Sequence, residues 1–202
     1  MIVVGLTGSI GMGKTTASKY IKRLGIPVHE ADALVHQLMG PGGRAVEEVA
    51  KAFPEVLESG MINRHKLGQA VFGKPDQLAR LESILHPMVR DDSLRWCEEH
   101  RKKGTPLVVL DIPLLYEIGR EKDCDLVWVV SAPAWIQRRR VLRRFGITQA
   151  KLDAVLARQM PDAEKRRRAD FVIPTGWGIW ISRWFINLAL EKALARSGTA
   201  RG

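Results

Sequence analysis

The sequence predicts an α/β fold with a parallel sheet at its centre, and three observations carry that prediction. Short apolar runs, at 2–7, 107–110, 126–130 and 171–173, alternate with stretches of helical periodicity, as strands buried on both faces of a parallel sheet require. Gly8-Ser9-Ile10-Gly11-Met12-Gly13-Lys14-Thr15 fits the phosphate-loop spacing G-x-x-x-x-G-K-[ST] at every fixed position. The run Leu107-Val108-Val109-Leu110 ends in Asp111, an acid at the mouth of a buried strand.

Taken in order, Ile2 to Thr7 predicts the first strand, and Ala17, Tyr20, Ile21 and Leu24 predict a helix that stops at Gly25. Strand, glycine-rich turn and helix then follow one another, which is the order that lets backbone N–H groups and a helix N-terminus face a phosphate tail. Lys14 is expected on the β- and γ-phosphates of ATP, and Thr15 is expected to place its hydroxyl on Mg²⁺. Gly8, Ser9, Ile10, Gly11, Met12, Gly13, Lys14, Thr15 and Thr16 are therefore the expected nucleotide contacts.

Ile26-Pro27-Val28-His29 reads as a second strand, followed by Glu30-Ala31-Asp32 and a helix through Leu34, Val35 and Leu38. Asp32 has two readings that do not exclude each other. Acids at the C-terminal edge of a parallel strand face the ligand crevice, which suits a general base, and a position just before a helical run also suits an N-cap. Gly40-Pro41-Gly42-Gly43 then breaks the chain, and residues 40–104 read as a mostly helical insertion that supplies a second-substrate site. His86, before Pro87 and four residues ahead of Arg90, suits either packing or substrate contact.

Asp111 closes the third strand and is a candidate for Mg²⁺ or for orienting a substrate group. Glu117, six residues on, is a further candidate for the crevice. After the strand at 126–130, Ala134 to Phe145 reads as an arginine-rich helix. Its arginines fit a solvated face or a lid whose guanidinium groups clamp phosphates. Thr148 opens another helix, Asp162 a third, and 137–168 is the expected lid. Phe171-Val172-Ile173 is the fifth strand. In the tail, Trp177, Trp180, Ile181, Trp184, Phe185 and Leu188 share one helical face, expected to pack on the sheet or an oligomer partner rather than a membrane.

The whole reads as a P-loop NTPase three-layer sandwich with a five-stranded parallel sheet, a core at 1–39 and 105–202, a helical substrate-binding insertion and a helical lid. A chain of 202 residues suits one such domain with an insertion. Its net charge of +10 suits polyanionic ligands, and much of it is local: residues 137–168 hold eleven basic and three acidic side chains. Two cysteines without metal-like spacing argue against zinc and disulfides. Neither a signal peptide nor a transmembrane helix is expected, so the expected location is cytoplasmic. An Asn-Lys-x-Asp motif is absent and Leu114 stands where a D-x-x-G switch needs glycine, which argues against a GTPase. No Leu-Ser-Gly-Gly-Gln stretch marks an ABC-type ATPase. A small-molecule kinase fits best. A nucleic-acid-binding ATPase is the rival from another class, disfavoured because no aromatic residues interleave the arginines.

One family is resembled closely. Gly5-Leu6-Thr7-Gly8-Ser9-Ile10-Gly11 leading to Lys14, Ala31-Asp32-Ala33, Leu85-His86-Pro87, Asp111-Ile112-Pro113-Leu114-Leu115-Tyr116-Glu117, Gln137 with Arg140 and Arg144, and Gln159 followed by Lys165, Ala169 and Asp170 resemble dephospho-CoA kinases over about the first 175 residues. The resemblance implies ATP-dependent phosphorylation of the 3′-hydroxyl of dephospho-CoA, with Mg²⁺ as cofactor. It implies that Asp32 takes or orients the hydroxyl proton, that Arg140 is the lid residue, that Asp111 faces substrate and metal, and that His86 and Arg90 lie in the region binding dephospho-CoA. Glu30, Val155 and Thr175 depart from the family's common Asp, Arg and Asn. Nucleoside or nucleotide kinases are the alternative among enzymes; nucleic acid and membrane are not expected partners.

Overall fold

The computed structural model describes residues 1–199. The chain divides into two compact units, residues 30–98 and the remainder. The expected insertion began at residue 40; the observed unit begins ten residues earlier because helix Ala31–Leu38 is tied into it. Ala45 N–H donates to the Leu38 carbonyl at 3.0 Å, and Ile62 N–H donates to the Met39 carbonyl at 3.0 Å.

Along the chain the elements are β1 (Ile2–Thr7), α1 (Lys14–Arg23), β2 (Val28–Glu30), α2 (Ala31–Leu38), α3 (Val46–Ala52), β3 (Leu57–Glu58), β4 (Met61–Ile62), α4 (Arg64–Val71) and α5 (Pro75–Lys102). There follow β5 (Leu107–Asp111), β6 (Leu126–Ser131), α6 (Ala134–Leu142), α7 (Gln149–Arg158), α8 (Asp162–Arg168), β7 (Phe171–Pro174) and α9 (Ile179–Thr199). The sheet is five-stranded and parallel, in the order β2-β5-β1-β6-β7. Its register runs Ile2 opposite Leu107 through Leu6 opposite Asp111, Val4 opposite Leu126, and Trp128 opposite Phe171. The connections that separate β1 from β5 and β6 place β1 in the middle, so its C-terminal end is flanked on both sides by strand ends.

β5 and β6 are buried at every position, which is why both read as unbroken apolar runs. Two carboxylates fix the strand entries: Val3 N–H donates to Asp125 Oδ2 at 2.7 Å and Val127 N–H to Asp170 Oδ2 at 2.8 Å. One face of the sheet is covered by α1 and α9, whose Ala17, Ile21, Ile186, Ala189, Leu190 and Ala193 join Val4, Leu6, Trp128 and Ile173 in one core.

Of the aromatic face expected to pack on the sheet or an oligomer partner, the tryptophans do not reach the sheet, and Trp177 lies before the start of α9. Ser182, Ile186, Ala189, Leu190 and Ala193 are buried, whereas Trp177, Trp180 and Trp184 are 67, 79 and 61% exposed. The inward face combines the small Ser182, Ala189 and Ala193 with the larger Ile186 and Leu190, which pack into the core. Phe185, half-buried, is the aromatic member that does reach inward, with its ring centroid 6.3 Å from that of Phe171.

The second unit is mostly helical, as expected, with α3, α4 and α5, and α5 continues through Pro87. The hairpin β3–β4 was not expected. Its two-residue turn is Ser59-Gly60, with Ser59 at φ 47°, the positive-φ conformation such hairpins need. Asn63 caps α4 by accepting from the N–H groups of His65 and Lys66 at 3.0 and 3.1 Å. Among the described residues, no helix is long and apolar enough to cross a membrane.

Candidate active site

The phosphate loop leaves β1 at the C-terminal edge of the sheet and enters α1 through Gly13. That residue is the helix N-cap at φ 90°, a left-handed conformation with no side-chain cap, and a Cβ there would press on Thr175. Met12 N–H donates to the Ser9 carbonyl at 3.1 Å, closing the turn, and Ser9 and Met12 are both buried. The first-turn N–H groups of α1 at Lys14 and Thr15 have no intrahelical carbonyl to bond, and Gly13 has no side chain to cap them, the arrangement that receives an anion.

Lys14 Nζ makes an ion pair with Asp111 Oδ1. The sheet register explains the contact: Asp111 stands opposite Leu6, one residue short of the end of β1, so the last acid of β5 and the first lysine of α1 meet over the strand ends. Asp111 is 5% exposed. Thr15 and Thr16 are exposed on the first turn of α1. The donor set formed by the Thr15 hydroxyl and the Asp111 carboxylate is all oxygen. That suits Mg²⁺, which takes one or two protein oxygens and completes its shell with water and phosphate oxygens.

Arg140 of α6 reaches this loop. Its Nη1 donates to Thr175 Oγ1 at 3.2 Å and to the Gly11 carbonyl at 3.4 Å, and its Nη2 donates to the Thr175 carbonyl at 2.5 Å. The other arginines of this segment, Arg138, Arg139, Arg143 and Arg144, are exposed. Thr175 is a site residue that sequence reasoning noted only as a departure from a pattern. Its hydroxyl donates to the Met12 carbonyl at 2.5 Å, so it fastens the end of β7 to the phosphate loop. The signal available in the sequence was its position just past the last strand.

Glu117, a candidate for the crevice, is engaged within the protein. Its Oε1 accepts from Met160 N–H at 2.8 Å and lies 2.8 Å from Nζ of the fully buried Lys165. Nearby, burial pushes the Tyr116 phenol up to about 12; the Asp170 and Glu121 carboxylates add to the rise and the Arg168 guanidinium opposes it.

Asp32, His86 and Arg90 belong to the second unit. Asp32 is exposed in the first turn of α2, but the N-cap is Glu30, which makes no side-chain cap, so the capping reading of Asp32 does not hold. A carboxylate in that turn is favoured by the helix dipole. His86 is half-buried on α5 and Arg90 is exposed one turn later.

Comparison with known proteins bears on the whole chain. The family model described as dephospho-CoA kinase matches residues 2–177. A dephospho-CoA kinase of Paramagnetospirillum magneticum is 58% identical over 166 residues, covering 82% of this chain and 78% of that protein. A crystal structure from Thermus thermophilus superposes with a TM-score of 0.79 at 35% identity, covering 96% of this chain and 97% of that one. A dephospho-CoA kinase from Campylobacter jejuni superposes at 0.66 with 23% identity over 95% and 96% of the two chains, which speaks for the fold. With its phosphate loop and strand-end acid inside the residues that the family model spans, the chain belongs to the dephospho-CoA kinase family.

Proposed function

We propose that the protein transfers the γ-phosphate of ATP to the 3′-hydroxyl of dephospho-CoA, giving CoA and ADP, with residues 40–104 supplying the acceptor site and 137–168 the lid. The observation that supports this most is the Lys14–Asp111 ion pair beside the phosphate loop, in a chain of this family. In the reaction the acceptor oxygen forms a bond to the γ-phosphorus while the bond to the β,γ-bridging oxygen breaks, and the electron pair leaves with ADP. The hydroxyl proton goes to Asp32. His86 and Arg90 hold the acceptor, and Asp111 orients the reacting groups. Glu117 was expected among the acceptor contacts; its ion pair with Lys165 supports a role in holding the lid instead.

The loop N–H groups and Lys14 bind the β- and γ-phosphates, and Arg140 adds charge on the lid side once it exchanges its Thr175 contacts for phosphate oxygens. Thr15 and Asp111 are the residues that would hold Mg²⁺, which when bound neutralises phosphate charge and favours in-line displacement. Closing helices over the nucleotide excludes water, so that the hydroxyl rather than a water molecule attacks. A cytoplasmic location, where ATP is available, accords with this reading, and neither nucleic acid nor membrane is required by it. A coupled assay for ADP release tests the proposal. ADP formed only when dephospho-CoA is added is the expected result, and ADP formation that ignores dephospho-CoA but responds to nucleosides or nucleotides would overturn it.

A further inference from the structure

The crest of the phosphate loop is held from two sides by two amide side chains. Ile10 N–H donates to Gln159 Oε1 at 3.0 Å, and Gln137 Nε2 donates to the Ile10 carbonyl at 2.8 Å. Gln137 lies on α6 and is buried; Gln159 is the residue that ends α7. Two helices of the segment between β6 and β7 therefore meet at a single loop residue, one bonding its donor and the other its acceptor. An amide serves both purposes because it carries an acceptor oxygen and a donor nitrogen.

Neither glutamine is held by these bonds alone. α6 packs against the loop so closely that a Cβ on Gly11 would stand 2.5 Å from Val141 Cγ2 and 3.2 Å from the Gln137 carbonyl oxygen. Gln159 is followed by Met160, whose N–H donates to Glu117, and Glu117 is paired with the fully buried Lys165 of α8. The chain leaving β5 after Asp111 and the start of α8 are thus fastened together beside Gln159.

We propose that Gln137 and Gln159 are positioning residues for phosphate binding: by holding both polar groups of Ile10 they keep the loop in the shape that aims the following N–H groups at the nucleotide. The inference rests on the reading that ATP occupies this loop. With Ile10 committed to the two glutamines, its own N–H group is turned away from the phosphates and the load falls on the residues after it. Movement of the helices at 134–168 is transmitted to the loop through one peptide unit on either side.

The test uses the opposite polarity of the two bonds. Gln159→Glu keeps an acceptor for Ile10 N–H, whereas Gln137→Glu replaces the donor to the Ile10 carbonyl with a second acceptor. Both add the same charge. Gln137→Met and Gln159→Met remove each bond with little change of shape, and they carry the test if Gln137→Glu does not fold. ATP affinity is measured by calorimetry on the full chain, with KM for each substrate and Tm alongside.

The expected result is that Gln137→Glu, Gln137→Met and Gln159→Met each weaken ATP binding about tenfold or more, with KM for dephospho-CoA within about twofold. Gln159→Glu recovers most of the affinity lost in Gln159→Met. The proposal is overturned if all four variants bind ATP as the wild type does. It is also overturned if the two Glu variants are equally impaired, or if lost affinity follows lost Tm across the series. A wild-type protein that binds no ATP would instead overturn the nucleotide reading of the loop, and it is seen before any substitution is made.

Discussion

Lys14 Nζ rests on Asp111 Oδ1, so the cation that begins α1 and the acid that ends β5 neutralise one another at the edge of the sheet. Removing the lysine takes away the phosphate contact and leaves a carboxylate that is only 5% exposed without its counter-charge. Lys14→Ala is therefore expected to lower the transfer rate by about 10²–10³-fold or more and to cost roughly 3–5 kcal/mol of stability. Adding Asp111→Asn should restore stability without restoring activity. Denaturant unfolding of the single and double variants, alongside the ADP assay, separates the two effects; activity regained in the double variant would count against a phosphate contact for Lys14.

Asp32→Asn is expected to leave ATP affinity within about twofold and to slow transfer by about 10²–10⁴-fold. The side chain is exposed in the first turn of α2 and caps nothing, so its removal should not disturb the fold. Single-turnover kinetics with saturating ATP measure the step directly. An unchanged rate would take the proton-accepting role away from Asp32.

How far these residues could be found in advance depended on the range of the interaction that fixes them. The strands and the phosphate loop were legible because burial on both faces and backbone curvature are local demands, written in Leu107–Asp111 and Gly8–Thr15 themselves. Glu117 was read as a ligand because it follows a strand-end acid. Its partner Lys165 lies 48 positions on, and nothing local announced a buried lysine. Gln137 and Gln159 stood in a recognisable pattern, yet their common partner is Ile10, 127 and 149 positions away. On α9 the helix was legible, but the side that meets the sheet was not the tryptophan side. Ala189 and Ala193 carried the signal for close packing, but hydrophobicity drew attention to the tryptophans.

That difference on α9 is measurable as stability. Trp180→Ser, at a side chain 79% exposed, is expected to change unfolding free energy by no more than about 0.5 kcal/mol. Ile186→Ala, in the core, should cost about 2–5 kcal/mol, and Ala189→Leu about 1–3 kcal/mol through overpacking. Urea melts of the three variants decide it. A large loss from Trp180→Ser would mean that the indole face is covered in solution.

Tyr116 supplies a titration prediction. Its phenol is raised to about 12, first by burial and then by the Asp170 and Glu121 carboxylates. Because the folded value lies above the ordinary one near 10, the contribution to stability is complete below about pH 10 and is lost as pH rises toward 12. The chain has two tyrosines. Tyrosinate absorbance should therefore show a late step near pH 12 that Tyr116→Phe removes, and the Phe variant should lose less stability between pH 10 and 12. A late step that survives the substitution would contradict the assignment.

Thr175 separates fastening from shape. Its hydroxyl donates to the Met12 carbonyl at 2.5 Å and accepts from Arg140 at 3.2 Å, while the body of the side chain fills the space beside Gly13. Thr175→Val preserves the body and removes the hydroxyl, leaving the carbonyl of a residue only 2% exposed without this donor and Arg140 with one acceptor fewer. The loss is expected to be about 1–3 kcal/mol in stability, accompanied by a higher KM for ATP because the loop and the guanidinium are both released. Thr175→Ser keeps the hydroxyl and loses only a methyl group, so it should retain most of the ATP affinity that Thr175→Val forfeits. If Ser and Val are equally impaired, the packing against Gly13 governs the loop; if Ser alone is spared, the hydroxyl does, and the end of β7 belongs to the nucleotide site.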